Sequence, residues 1–170
     1  MASIAENPAP RARSIAPDRF ERVLAVLSLV LLAAVLAAIA RGYPQWNRVP
    51  GAVWPHLIAL TIALALTPAM LLRRRGDRPH RLLGTIWVAA MLVGALSSFR
   101  LGFINPGGFS VIHLLSIYTL IQVPILYWAA KTHRVALHRR GVRGLVLAAL
   151  LVAGFFTFGF NRLLGQWLFG

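Results

Sequence analysis

The residues best suited to chemistry in this sequence are four histidines that recur in one pattern. His56 begins an apolar stretch that ends in a basic turn with His80, and His113 begins a similar stretch that ends in a basic turn with His138. Equivalent positions in the two stretches lie 56 to 58 residues apart. A duplicated helical hairpin would place such histidines symmetrically in one bundle, where paired imidazoles can hold a cofactor. Chance similarity between Leu-rich helices is the alternative explanation of the repeat.

The composition indicates which environment positions these histidines. Hydrophobic residues make up 58% of the 170-residue chain and charged residues only 13%. An average globular protein has about 25% charged residues, so we predict a membrane protein. No carboxylate lies within an apolar run, which argues against a proton pump, a cation pathway and a two-carboxylate hydrolase. The absence of cysteine excludes disulfides, iron–sulfur clusters and thiolate metal sites. The four acidic residues are Glu6, Asp18, Glu21 and Asp77.

Apolar runs predict an all-α membrane protein with about five transmembrane helices. Residues 1–19 are predicted to form a disordered cytoplasmic tail, and residues 20–170 a single transmembrane domain. Spans two to five are expected to form a four-helix bundle from two similar hairpins, with an uncleaved first span packed at its periphery. Asn105-Pro106-Gly107-Gly108 predicts a turn, and Trp167 is expected at the membrane interface. The five runs cover residues 23–40, 53–72, 82–99, 111–130 and 144–160.

Basic residues are distributed unevenly along the loops, which predicts the orientation in the membrane. With five spans, 14 of the 18 Lys and Arg residues fall on one side and four on the other. The positive-inside rule then places the N-terminus in the cytoplasm and the C-terminus on the opposite side. The net charge of +14 is therefore expected to set the topology and to contact anionic lipids, and not nucleic acid. The four outer cations are Arg41, Arg48, Arg100 and Arg162.

Several short motifs together resemble a known family. They are Pro55-His56, the turn Arg78-Pro79-His80-Arg81-Leu82-Leu83-Gly84, Ser97-Ser98, Gly108-Phe109 and His138-Arg139-Arg140. The set is similar to the bacterial predicted membrane proteins gathered as domain-of-unknown-function family 2306, over about residues 53–160. The resemblance implies a small multipass protein of the bacterial inner membrane, so that the predicted outer side is the periplasm. It supplies no established activity.

The order of the histidines also resembles a second family, the ascorbate-reducible transmembrane cytochromes b. In those proteins four helices supply one histidine each, and ligands from alternate helices pair around two haems. The predicted topology pairs His56 with His113 near the outer face and His80 with His138 near the inner face, as candidate ligands of haem b. Such a site also needs small residues beside the haem and cations near its propionates. The small residues are Ala59, Ala63 and Gly84, and the candidates for propionate or lipid-phosphate contacts are Arg81, Arg139 and Arg140.

Other roles for the histidines remain open. His80 and His138 lie beside arginines at helix ends, where they could bind lipid phosphate or form structural hydrogen bonds. His56 and His113 could form structural hydrogen bonds or belong to a quinone or metal site. No carboxylate or thiolate is available there to complete four metal ligands. An outer polar pocket around His113 could include Ser97, Ser98 and Arg100.

Three functional hypotheses follow from the sequence. The first is a haem-b electron-transfer protein that links a quinol or periplasmic reductant to a membrane redox partner. The second is a non-enzymatic subunit or assembly factor of a larger membrane complex. The third is a small-molecule carrier, which at this size would need to work as a homodimer. The sequence contains no nucleophile–base pairing, phosphate-binding glycine loop or nucleic-acid motif, so catalysis is not expected.

Overall fold

The computed structural model describes residues 16–104, 112–159 and 161–170, and within these ranges it is built from helices. The predicted turn at Asn105–Gly108, the Gly108-Phe109 motif and residues 1–15 of the predicted tail lie outside the described residues. The helices are α1 (Arg19–Arg41), α2 (Val53–Leu72), α3 (Arg78–Ile104), α4 (Ile112–Lys131), α5 (Val135–Leu145), α6 (Ala153–Phe156) and α7 (Leu163–Phe169). A 3₁₀ segment, Tyr43–Arg48, joins α1 to α2, and a π-helical segment, Val146–Val152, joins α5 to α6.

Four of these helices, α1 to α4, are long and apolar enough to cross a membrane, which confirms the prediction of an all-α membrane protein. The predicted second span, residues 53–72, coincides with α2. The third helix is longer than the predicted span, residues 82–99: α3 begins at Arg78 and continues to Ile104. A hydropathy run ends at the first charge, whereas a helix can continue into the head-group region, where long cationic side chains remain solvated.

The predicted fifth span, residues 144–160, belongs to a helical stretch that begins earlier and changes its hydrogen-bond pattern. The stretch runs from Val135 to Phe156 through α5, the π segment and α6. Its first part carries several arginines, and neither α5 nor α6 is long enough to span a bilayer alone. Five crossings therefore stay a prediction. A π turn widens a helix locally and is often found at functional sites.

Helix α1 is part of the core, so its predicted peripheral position is wrong. Leu24 and Ala25 are fully buried in the main apolar cluster with residues of α2 to α5 and the π segment. Ser28 is also fully buried, and its hydroxyl donates to the Leu24 carbonyl oxygen at 2.8 Å. The run 23–40 is apolar on every side of the helix, so its sequence does not distinguish a lipid-facing from a protein-facing surface.

The last helix packs against α1, and Trp167 is buried in this contact, while its expected depth at the membrane interface stays a prediction. The indole is only 3% exposed, and its Nε1–H donates to Gln45 Oε1 at 3.2 Å. A Cβ atom at Gly42 would collide with the indole ring, so a glycine at this position permits the close approach. Trp167 is therefore a buried anchor of α7 and not a lipid-facing residue.

A buried carboxylate joins the start of α1 to the rest of the bundle. Asp18 caps α1, and Glu21 completes a capping box with it. Glu21 is 1% exposed and forms ion pairs with Arg75, with Arg139 at 2.7 Å and with Arg143 at 3.1 Å. We call these five residues the Glu21 cluster. Desolvation acts to raise the pKa of Asp18, but the Glu21 N–H and the Arg143 guanidinium outweigh it, so this pKa lies below its usual value.

The first prediction concerns the stability of this cluster. Glu21→Gln keeps the side-chain volume but leaves three clustered guanidiniums without their buried counter-charge. We expect a loss of about 3–5 kcal/mol in the free energy of unfolding, because breaking a buried ion pair leaves an uncompensated charge. Thermal unfolding of the detergent-solubilised protein, followed by circular dichroism, measures the change.

The matched control is Asp77→Asn, which removes the charge of a partly exposed carboxylate that pairs with Arg73 at 3.2 Å, while the amide oxygen can still accept the His80 N–H. We expect no measurable shift of the unfolding midpoint, because solvent screens an exposed pair. Equal shifts for Glu21→Gln and Asp77→Asn would contradict the structural importance of the Glu21 cluster.

Candidate functional site

The structure places His56, His80 and His113 at the starts of long helices and His138 in the first turn of the shorter α5, and it brings one predicted pair together. His80 and His138 line the same two cavities, between α3 and α5. His56 contacts α3 from the start of α2, whereas His113 is buried at the start of α4 with its ring centroid 6.1 Å from that of Phe99. A site shared by His56 and His113 stays a prediction.

His56 is held in one orientation by the backbone of α3. Its Nδ1 lies 2.9 Å from the Gly94 carbonyl oxygen, which can only accept a hydrogen bond. Nδ1 therefore carries the hydrogen, and Nε2 of the neutral ring keeps its lone pair. The Ser97 hydroxyl lies 3.2 Å from the same Nδ1, although its own hydrogen can reach the Val93 carbonyl oxygen at 2.7 Å. Ser97 thus joins a polar site with His56, and the outer polar pocket predicted around His113 stays a prediction.

A first cavity, the His56 cavity, lies among α1 to α4, α7 and the π–α6 stretch and has a volume of about 160 Å³. Its surface is mostly apolar. The threonine hydroxyls that line it donate to carbonyl oxygens of their own helices, as Thr61, Thr119 and Thr157 do. The Ser98 and Ser116 hydroxyls are 2.6 Å apart and bond each other. The polar groups left for a ligand are these serine oxygens and the His56 imidazole.

A second cavity, the His80–His138 cavity, has a volume of about 120 Å³ and lies where α3 begins and α4 ends. His138 Nδ1 donates to the Leu126 carbonyl oxygen at 3.0 Å, so this ring is oriented in the same way as His56. His80 Nδ1 is buried and has no hydrogen-bond partner in the described structure. The backbone N–H of His80 donates to Asp77 Oδ1 at 2.7 Å, and this bond, with Arg73, lowers the pKa of Asp77.

A small cavity of about 30 Å³ connects this region to the Glu21 cluster. His80, His138 and Glu21 all line it, and its volume is sufficient for a water molecule. Trp87 closes one side, and its Nε1–H donates to Thr67 Oγ1 at 3.0 Å inside the core. The polar end of the bundle is therefore one continuous arrangement of carboxylate, guanidinium and imidazole groups.

The three arginines proposed from the sequence have different surroundings. Arg81 is exposed and lines the His80–His138 cavity, and Arg140 is exposed. Arg139 is bound to Glu21, and this contact raises the pKa of its guanidinium. Glu21 was not predicted as a partner of these arginines, although Asp18-x-x-Glu21 is a visible capping-box signal in the sequence.

The described residues do not fit a bis-imidazole haem as they are placed. Pockets for drug-sized ligands have volumes of about 300–1,000 Å³, above those of both histidine cavities. Ala59 and Ala63, expected to admit the macrocycle, are buried in side-chain packing. Within the described ranges there is also no cluster of three or more His, Cys, Asp or Glu residues able to hold a bare metal ion. Neither histidine cavity has the volume of a haem as it stands, and haem binding stays a prediction.

Comparison with known proteins agrees with the first of the two resemblances. No curated protein and no solved structure matches this chain, and the likeness to cytochromes b finds no support there. A family model described as "Predicted membrane protein (DUF2306)" matches residues 53–162, which include all four candidate histidines. This match covers more than half of the chain, so the protein belongs to the DUF2306 family of predicted membrane proteins.

Proposed function

We propose that this family member binds a small, mostly apolar molecule in the His56 cavity and acts as a membrane carrier or receptor for it. The observation that carries this proposal is an apolar cavity into which very few hydrogen-bonding groups converge. Ligand sites are typically of this kind, since apolar walls supply affinity and a few placed polar groups supply orientation. The cavity volume of about 160 Å³ limits the ligand, or the part of it that enters, to a small group.

The orientation of His56 defines the chemistry of the ligand's polar end. Because Nδ1–H is occupied by the Gly94 carbonyl oxygen, the free nitrogen of the neutral ring is an acceptor. This nitrogen would bind a ligand that has an O–H donor, such as an alcohol, a phenol or a quinol. The Ser98–Ser116 pair also lines this cavity and offers oxygen lone pairs to the same class of ligand.

The second prediction tests this proposal by filling the cavity. Ala153 lines it, and Ala153→Phe should displace a bound molecule by occupying its volume. We expect the amount of ligand that co-purifies with the protein to fall at least about tenfold, the effect of ~1.4 kcal/mol. Mass spectrometry of an organic extract of the purified protein measures it, and His56→Leu should lower the amount in the same direction.

Ala65→Phe is the matched control, because Ala65 is exposed on α2 and does not line the cavity. It adds the same aromatic volume at a lipid-facing position. The proposal fails if wild type and Ala153→Phe carry the same molecules in the same amounts while both remain folded.

Haem b and transmembrane electron transfer form a second proposal, with one supporting observation. His56 and His138 each donate Nδ1–H to a backbone carbonyl oxygen, as metal-bound histidines commonly do. A bound haem would supply one-electron redox chemistry, and a membrane redox partner would then be required. The bundle would have to open wider than it is here, since neither histidine cavity has the volume of a macrocycle.

The third prediction separates the two proposals. If haem binds between His56 and His113, protein produced with ample haem should show a sharp Soret band that shifts on reduction with dithionite. His56→Leu should abolish this band, while His80→Leu should spare it. A folded, colourless wild-type protein would refute the haem proposal and leave the small-molecule proposal standing.

The orientation is also proposed, on the strength of the charge distribution. We place the chain in the bacterial inner membrane with a cytoplasmic N-terminus and a periplasmic C-terminus, since 14 of 18 cations then face the cytoplasm. Anionic lipid head groups are the expected partners of these basic loops. The Glu21 cluster is consistent with this placement, because it gathers Arg75, Arg139 and Arg143 at one end of the bundle.

The fourth prediction tests the orientation with reporter fusions. A reporter that is active only in the periplasm should be active when fused after Gly170 and silent when inserted between Arg73 and Arg78. Activity at the second position would show that the turn between α2 and α3 faces the periplasm, which contradicts the proposed orientation. Silence at both positions would show an even number of crossings, with the stretch Val135–Phe156 not crossing.

A further inference from the structure

The His80–His138 cavity lies where α3 and α5 begin and α4 ends, and it is bounded by both apolar and cationic groups. Its deeper wall is formed by Met70, Val88, Leu126 and Val142. Arg81 and Lys131 line it as well, and Lys131 is at the last position of α4. A cavity with an apolar interior and a cationic rim at a helix end matches the boundary between acyl chains and head groups.

The described carboxylates near this cavity form ion pairs with other arginines, and not with the two cations that line the cavity. Asp18 and Glu21 form ion pairs with Arg75, Arg139 and Arg143, and Asp77 pairs with Arg73 while it accepts the His80 N–H. Within the described part of the chain, neither Arg81 nor Lys131 forms an ion pair with a carboxylate. The ammonium of Lys131 lies over the Tyr127 ring, 5.4 Å from its centroid. Two cations that form no ion pair with a carboxylate in the described structure favour an anionic ligand.

His80 supplies the second, independent observation. Its Nδ1 is buried and has no hydrogen-bond partner in the described structure, although buried polar atoms are normally paired. This nitrogen belongs to a side chain that lines the cavity. A ligand oxygen that accepts from Nδ1–H would satisfy it, and an oxygen bonded to phosphorus accepts from imidazole, guanidinium and ammonium groups alike.

We propose that the His80–His138 cavity binds a phosphate group at the membrane surface, carried by a lipid head group or by a soluble phosphate compound. Arg81 and Lys131 neutralise its charge, and His80 Nδ1–H donates to one of its oxygens. The apolar wall favours the lipid, since an acyl chain can lie against it. This site is separate from the His56 cavity and does not depend on a ligand there.

The test uses the full chain in detergent, titrated with phosphatidylglycerol and, in parallel, with diacylglycerol of the same acyl chains. Native mass spectrometry counts the bound lipids. We expect phosphatidylglycerol to bind and diacylglycerol, which lacks the phosphate, to bind at least about tenfold more weakly. The double variant Arg81→Gln, Lys131→Gln should weaken phosphatidylglycerol binding about tenfold.

The control double variant is Arg22→Gln, Arg74→Gln. It removes the same charge from two exposed residues that do not line the cavity. We expect it to change phosphatidylglycerol binding by less than about twofold, because no direct contact is lost. His80→Leu should weaken binding, and His80→Asn should restore part of it, because the amide keeps an N–H donor near the position of Nδ1.

Two outcomes would overturn the proposal: equal binding of the two lipids, or equal weakening by the two double variants. Adding inorganic phosphate to the lipid titration identifies the source of the phosphate group. Displacement of the lipid by millimolar phosphate supports a soluble ligand, whereas retention of the lipid supports the head group. Size-exclusion profiles and circular dichroism confirm that each variant is folded before its binding is compared.

Discussion

The structure depends on the compensation of one buried carboxylate. A charge removed from water is tolerated only when opposite charges and hydrogen bonds surround it, and Glu21 has three guanidiniums around it. Arg75 comes from the turn between α2 and α3, while Arg139 and Arg143 come from α5. The start of α1 is thereby joined both to the turn between α2 and α3 and to α5. Helix α5 packs on α4, and its His138 shares the His80–His138 cavity with the start of α3.

The contacts of α1 also explain why the repeated sequence does not give repeated chemistry. His138 bonds a backbone carbonyl oxygen through Nδ1, whereas its counterpart His80 leaves Nδ1 unpaired within the described structure. His56 donates to the Gly94 carbonyl oxygen, and the ring of its counterpart His113 lies 6.1 Å from that of Phe99. Helix α1 packs against α2 and the π segment, so equivalent helices meet different neighbours. The two hairpins are similar in sequence but pack against different helices, and their equivalent histidines therefore form different contacts.

The parts of the fold that could be predicted are those encoded locally in the sequence. Hydropathy gives α2 its bounds, Val53–Leu72, because both ends are marked by turn-forming or charged residues. The position of α1 could not be predicted, since a helix that is apolar on every side shows no preferred face. The partners of Glu21 lie 54 to 122 residues away, and no local pattern connects them. The histidines were identified as candidates from their spacing, but their hydrogen-bond partners depend on packing between helices.

The two main cavities are separated by a layer of buried apolar side chains. Met91 and Leu150 line the His56 cavity, while Trp87 and Val146 line the cavities at the other end. All four side chains are almost completely buried, and no residue lines a cavity at both ends within the described structure. A conduit for ions needs continuous polar groups or water across the bilayer, because an unsolvated charge in an apolar layer is costly. This layer instead favours two separate binding sites, one in each half of the bundle, with the π segment Val146–Val152 extending between them.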